Sequence, residues 1–182
     1  MLNHNRGLWG YTGLAHSDGK PLTIQSSGLG GPSTAIVVEE LIALGARRIV
    51  RAGTCTALTG GSPLGSLVIA EAALPEDGAS RALGAGGSLA ADPVLLAALC
   101  AAGNGAVAGS VLTVDLHYGE HRRDSGAVAL DLTTAALFAV AARHGVPAAA
   151  VLAVTEAGGA RLEPEAVEQA EVELGRVAAA AL

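Results

Sequence analysis

Aromatic residues make up only 2% of this 182-residue chain, and lysine occurs once, at Lys20. With so few lysines and a net charge of −6, there is no basic stripe of the kind a nucleic-acid binder needs. Two cysteines, Cys55 and Cys100, are too few for a disulfide scaffold and read as free thiols of a reducing cytoplasm. Every apolar run is broken by Gly, Pro or a charge before it reaches bilayer length, so no membrane partner is expected. The first residues, MLNHNRGLWG, lack the apolar core of a secretory signal. What remains is 51% hydrophobic, mostly Ala, Val and Leu, with 25 glycines. Small apolar side chains suit close helix-on-sheet packing, and the glycines mark many turns.

The chain is organised around residues 26–58, SSGLGGPSTAIVVEELIALGARRIVRAGTCTAL. A Gly-rich turn, Gly28-Leu29-Gly30-Gly31-Pro32-Ser33, precedes a helical pattern over 33–44 with apolar Ile36, Val37, Leu41 and Leu44. Gly45 ends it as a C′ glycine does. An apolar strand over 48–52 then runs into a second expected turn, Gly53-Thr54-Cys55. Ligands of open α/β sheets sit beyond the carboxyl ends of strands, where both turns would lie. Arg51 in this strand demands an anionic partner if it is buried.

The rest alternates between strand and helix. Strands are expected over 8–13, 21–26, 66–70, 106–114, 127–130 and 147–155, with a tight turn at Gly19-Lys20. Helices are expected over 92–102, opened by Asp92-Pro93, over 133–144, closed by Gly145, and from 165 to the end. Residues 74–87, 115–125 and 156–162 read as loops. No repeat or linker divides the chain, so one domain over 1–182 is expected, an α/β fold of three layers with a central mixed sheet.

GLGGPSTAIVVEEL followed by RAGTCTAL resembles the nucleoside phosphorylases of the trimeric and hexameric type, the group of uridine phosphorylase and bacterial purine nucleoside phosphorylase. The resemblance implies reversible phosphorolysis of a nucleoside to free base and ribose 1-phosphate. Inorganic phosphate is the co-substrate, with no cofactor and no metal. It puts phosphate on Gly28, Gly30, Arg51, Gly53 and Thr54, with Arg51 also serving catalysis. It puts the nucleobase on the loop TVDLHYGEHRRD, at His117, Tyr118, His121 and Arg123, the last two standing where uridine phosphorylases carry Gln and Arg. Matching ALDLTTAALF to the family's V-E-M-E-A-A-x-L-F puts the ribose at Leu132 and Thr133, with Asp131 at the first Glu and not expected to replace the second. Glu156 falls where purine phosphorylases carry an acid that protonates the base, so Arg123 and Glu156 point to different bases.

Thr133 and Thr134 read equally well as helix caps, and Glu156 as a strand-end carboxylate. His117, Glu120 and His121 lack the second ligand cluster a metal would need. In the family a G-D-P-x-R phosphate loop precedes the hairpin, and this sequence starts just after that point. His4 and Arg6 are the polar residues of that end and read as solvated. With Thr133 replacing a ribose-binding Glu, the alternatives are a catalytically impaired nucleoside- or base-binding homologue and a hydrolytic nucleosidase. The family also implies a homodimer or hexamer, and the small-residue surface agrees.

Overall fold

The computed structural model describes residues 11–17, 19–58, 62–118 and 125–182. The described residues open with a hairpin of β1 (Thr12–Ser17) and β2 (Lys20–Gln25), with Gly19 at φ 76° in the expected turn. Residues 8–10 of the expected first strand lie outside the described residues.

Helix α1 (Gly30–Ala43) starts three residues earlier than its apolar pattern, because the Gly-Gly-Pro turn forms its first turn. Ser33 does not cap it; its hydroxyl donates back to the Leu29 carbonyl at 2.8 Å. Gly45, at φ 97°, takes the left-handed conformation that ends the helix. Strand β3 (Ile49–Ala57) follows. The expected turn at Gly53-Thr54-Cys55 is therefore absent. Those residues stay extended because they pair in parallel with a long partner strand, with one irregularity between Cys55 and Thr56.

Strand β4 (Leu67–Pro75) leads into α2 (Gly78–Ala82), where a loop was expected. Asp77 makes that short helix by accepting from Ser80 N at 2.8 Å. After β5 (Leu89–Ala90), α3 (Pro93–Ala102) begins as anticipated, with Asp92 accepting from Val94 N and Leu95 N at 3.0 Å each and Pro at its start. Then come β6 (Val107–Thr113), β7 (Ala129–Asp131) and α4 (Thr134–His144), closed by left-handed Gly145. Strand β8 (Ala148–Ala157) extends past its expected end and turns back as β9 (Ala160–Arg161). Gly158 and Gly159, both at positive φ, supply the tight turn that makes this hairpin. Helix α5 (Pro164–Ala180) ends the chain.

Among the described residues the main sheet has seven strands in the order β5-β4-β6-β7-β3-β8-β9 and mixes parallel with antiparallel pairs. Leu67–Ile69 of β4 also pair antiparallel with Val151–Ala153 of β8, so the sheet rolls onto itself. Alanine and valine make this possible: Ala148 to Val154 are all buried, and small side chains let the strand pack on every side. Helix α4 buries each residue from Thr134 to Ala141, which is why it is apolar nearly all round. The sheet brings β3, β6 and β7 to one polar cluster, and the end of β8 carries a second.

Candidate functional site

Asp131, the last residue of β7, is the centre of the first of these clusters. Its side chain is 1% exposed, and the Arg51 guanidinium reaches its Oδ2 through Nη2 at 3.3 Å. Thr113 Oγ1 donates to Oδ1 at 2.7 Å, and Thr134 Oγ1 to Oδ2 at 2.6 Å. Thr133 Oγ1 donates to Oδ2 at 3.2 Å, and Thr134 N reaches both oxygens at 3.2 and 3.0 Å. So Asp131 caps α4 from outside the helix, and Thr133, at the cap position, makes no side-chain cap bond. Asp131, which was not expected to take the place of the second Glu, thus lies against Thr133. Residues two apart share one side of an extended chain, and the turn from β7 into α4 brings them together.

Arg51 obtains the anionic partner its burial requires, and that partner is a residue of its own chain. Its Nη1 has no hydrogen-bond partner among the described residues. Its guanidinium lies over Gly53, where a Cβ would stand 2.5 Å from Nη1. Gly53 thus allows a close approach, and the approaching group is Arg51 itself. Thr54 lies three residues along the same continuous strand, faces the other side and is exposed. Cys55 sits beside this pair. Burial first, then the charge of Asp131, pushes its thiol up to about 12 against the opposing pull of Arg51, so it stays protonated.

A second polar group forms at the end of β8. Glu156 is paired across the sheet with Thr56 on one side and Arg161 on the other. Its Oε1 lies 3.1 Å from Arg161 Nε and 3.6 Å from His117 Nε2, and Thr56 Oγ1 approaches Oε2 at 3.5 Å. His117 meets exposed Tyr118 edge-on, with ring centroids 4.7 Å apart. The structure therefore brings Glu156, His117 and Tyr118 together. His121 and Arg123 lie outside the described residues, as do His4 and Arg6. Asp115, in the same loop, accepts from Gly78 N at 2.8 Å and so anchors α2.

The Gly-rich turn has Gly28 and Gly30 at φ 74° and 81°. Gly28 accommodates Ser33, whose Oγ would be 2.8 Å from a Cβ there. The start of α1 has no side-chain cap, at exposed Leu29. A largely apolar cavity of about 230 Å³ lies between β2, α1, β3 and α5, with Leu22, Ile24, Val37, Ile49 and Ala178 in its walls. Arg51 is its one charged wall residue among the described residues; Glu156, His117 and Thr133 do not line it. Arg51 apart, the residues of the two polar groups lie outside it. Sequence reasoning gave no role to Thr113, although it opens the loop motif TVDLHYGEHRRD, and overlooked Arg161, which lies in no motif; strand pairing places both.

Residues 2–182 match the Phosphorylase superfamily. The chain belongs to this superfamily. Among curated relatives of this phosphorylase-superfamily chain, a DeoD-type purine nucleoside phosphorylase of Bacillus cereus is 34% identical over 167 residues, spanning 85% of this chain and 70% of the relative. A solved uridine phosphorylase from Vibrio fischeri, in complex with 6-hydroxy-1-naphthoic acid, superimposes with a TM-score of 0.80 and 27% identity, over 92% of this chain and 74% of that one. A purine nucleoside phosphorylase from Toxoplasma gondii, in complex with immucillin-H, shares the fold with a TM-score of 0.84 at 23% identity, over 97% of this chain and 83% of that one. Among the described residues, no group of His, Cys, Asp and Glu could hold a metal ion, and no helix is long and apolar enough to cross a membrane.

Proposed function

We propose that this member of the superfamily is a nucleoside phosphorylase that cleaves a nucleoside with inorganic phosphate at the site between Arg51 and Glu156. The observation that carries the proposal is the state of Arg51. Asp131 already receives donors from three threonines, while Arg51 gives it one amino group and keeps Nη1 without a partner among the described residues. A buried guanidinium with donors to spare is suited to a small, mobile oxyanion. A phosphate oxygen forms the new bond to the sugar C1′ as the glycosidic C–N bond breaks. The electron pair of that bond leaves with the base, which takes a proton.

Glu156 is the residue we assign to supply that proton, and His117 and Tyr118 to lie against the base. Electrostatic support for the leaving base is the principal catalytic effect of such a site. Gly28 and Gly30 belong to the phosphate side of this reading, and Leu132 and Thr133 to the ribose side; Thr54 faces away from Arg51 across β3 and is not assigned to the phosphate. Thr133 reaches the ribose with a hydroxyl that is already engaged by Asp131. An acid at 156 favours a purine, whose ring nitrogen accepts the proton. The apolar side chains exposed on the hairpin and the start of α1, Tyr11, Leu14, Ile24 and Leu29, support at least a homodimer. Light scattering at micromolar concentration checks that assembly.

The deciding experiment measures release of free base from inosine, adenosine, guanosine and uridine, with and without phosphate. Base that appears only with phosphate, and faster from purine nucleosides, is the expected result. Base without phosphate marks a hydrolase, and no base from any nucleoside marks a binding protein; either overturns the proposal.

A further inference from the structure

The donors around Asp131 outnumber what one carboxylate needs. Thr113, Thr133 and Thr134 supply hydroxyls, and Thr134 adds its amide at the positive end of α4. Arg51 is the most distant of its partners, at 3.3 Å. The carboxylate is therefore held in place by β6 and α4 whether or not Arg51 is there. Thr113 extends the fixation, because its Oγ1 also accepts from Ala135 N at 3.0 Å. The dependence runs in the other direction. The Arg51 side chain is 16% exposed, lies over the bare backbone of Gly53, and among the described residues is steered by this one fixed carboxylate contact.

We propose that Asp131 is the positioning residue of the phosphate site, holding the Arg51 guanidinium folded over Gly53 through Nη2 alone so that its other donors are left for the incoming phosphate. This rests on the phosphorylase reading above. Asp131 acts through Arg51 and touches neither substrate. Its negative charge works against anion binding, and its benefit is geometric: an arginine anchored at one nitrogen loses less freedom when phosphate arrives. Thr113 and the amide of Thr134 are parts of the same support.

The test is an Asp131→Asn variant assayed beside Arg51→Lys and the double variant, with far-UV circular dichroism confirming the fold of each. In Asp131→Asn the KM for phosphate should rise about tenfold or more, the scale of a lost charge-assisted contact, while the KM for nucleoside stays within about twofold. In the Arg51→Lys background the same substitution should have little further effect, because its route is removed. An unchanged KM for phosphate, an additive double variant, or a rise confined to the nucleoside KM would overturn the proposal. Titration calorimetry with inorganic phosphate gives a readout separate from turnover. If the wild type binds phosphate but releases no base, the phosphorylase reading fails, and the phosphate affinities of wild type and Asp131→Asn still decide this proposal. If Asp131→Asn does not fold, Asp131→Glu keeps the charge and displaces the guanidinium by one methylene. It should weaken phosphate binding, and equal affinity would overturn the proposal.

Discussion

Gly31 sits in the first turn of α1 where α1, α2 and α4 meet. A Cβ there would stand 2.8 Å from the Cβ of Ala79, 2.9 Å from Asp77 Oδ2 and 3.4 Å from the Cβ of Ala136. Its backbone is not left-handed, so Gly31→Ala introduces no backbone strain, and its effect is steric alone. Two of the three contacts are with Cβ atoms, which cannot swing away. Carbon pairs prefer about 3.5–4.0 Å, so α1 must retreat from α2 by roughly 0.7 Å or more. Overpacking of this kind costs about 1–3 kcal/mol. Displacing Asp77 puts at risk its cap of Ser80 N, worth about 1 kcal/mol. Against these stands the better helix propensity of alanine, at most about 1 kcal/mol and less in a first turn. The net expectation is a loss of about 1–3 kcal/mol, with the melting temperature falling about 2–4 °C per kcal/mol for a chain of this size. Urea and thermal unfolding followed by far-UV circular dichroism measure it. Gly86→Ala and Gly87→Ala, whose added Cβ atoms meet nothing, serve as controls and should change stability by less than about 0.5 kcal/mol. A Gly31→Ala protein as stable as wild type would show that this glycine is not required by packing.

Two further outcomes follow from the site. The Cys55 thiol, raised from 9.0 to about 12 in the fold, must lose its proton first in the unfolded chain, so its contribution is intact below pH 9 and falls between pH 9 and 12. Stability should decline by up to about 1.4 kcal/mol per pH unit in that window, and Cys55→Ala should remove this slope in urea melts compared at about pH 8.5 and pH 10.5; an unchanged slope would place the thiol in a milder environment. Glu156→Gln keeps the shape but not the proton, so kcat for base release should drop about 100-fold or more with the nucleoside KM little altered. A variant within about twofold of wild type would remove Glu156 from the role of acid.

Local signals determined much of this protein. The apolar periodicity of α1 and α4, the Asp92-Pro93 start of α3 and the closing glycines Gly45 and Gly145 are written into short stretches, because capping and helical burial depend on neighbours within a turn or two. The motifs around Gly28–Ser33 and Arg51–Thr54 were also legible, and with them the superfamily. So was the need of Arg51 for an anion, which follows from the cost of burying a charge.

Tertiary structure alone decided which anion. Asp131 lies eighty residues from Arg51 in sequence, and the rolled sheet brings β7 against the end of β3. Residues 53–55 look like a turn when read alone, yet β8 holds them extended, since parallel pairing with a distant strand outweighs a local glycine preference. Arg161 stands beside Glu156 because a two-glycine hairpin sets it across the strand, and Thr113 beside Asp131 because β6 and β7 are parallel neighbours. Each of these contacts depends on strand register, which a sequence pattern expresses only weakly when small apolar residues fill both faces.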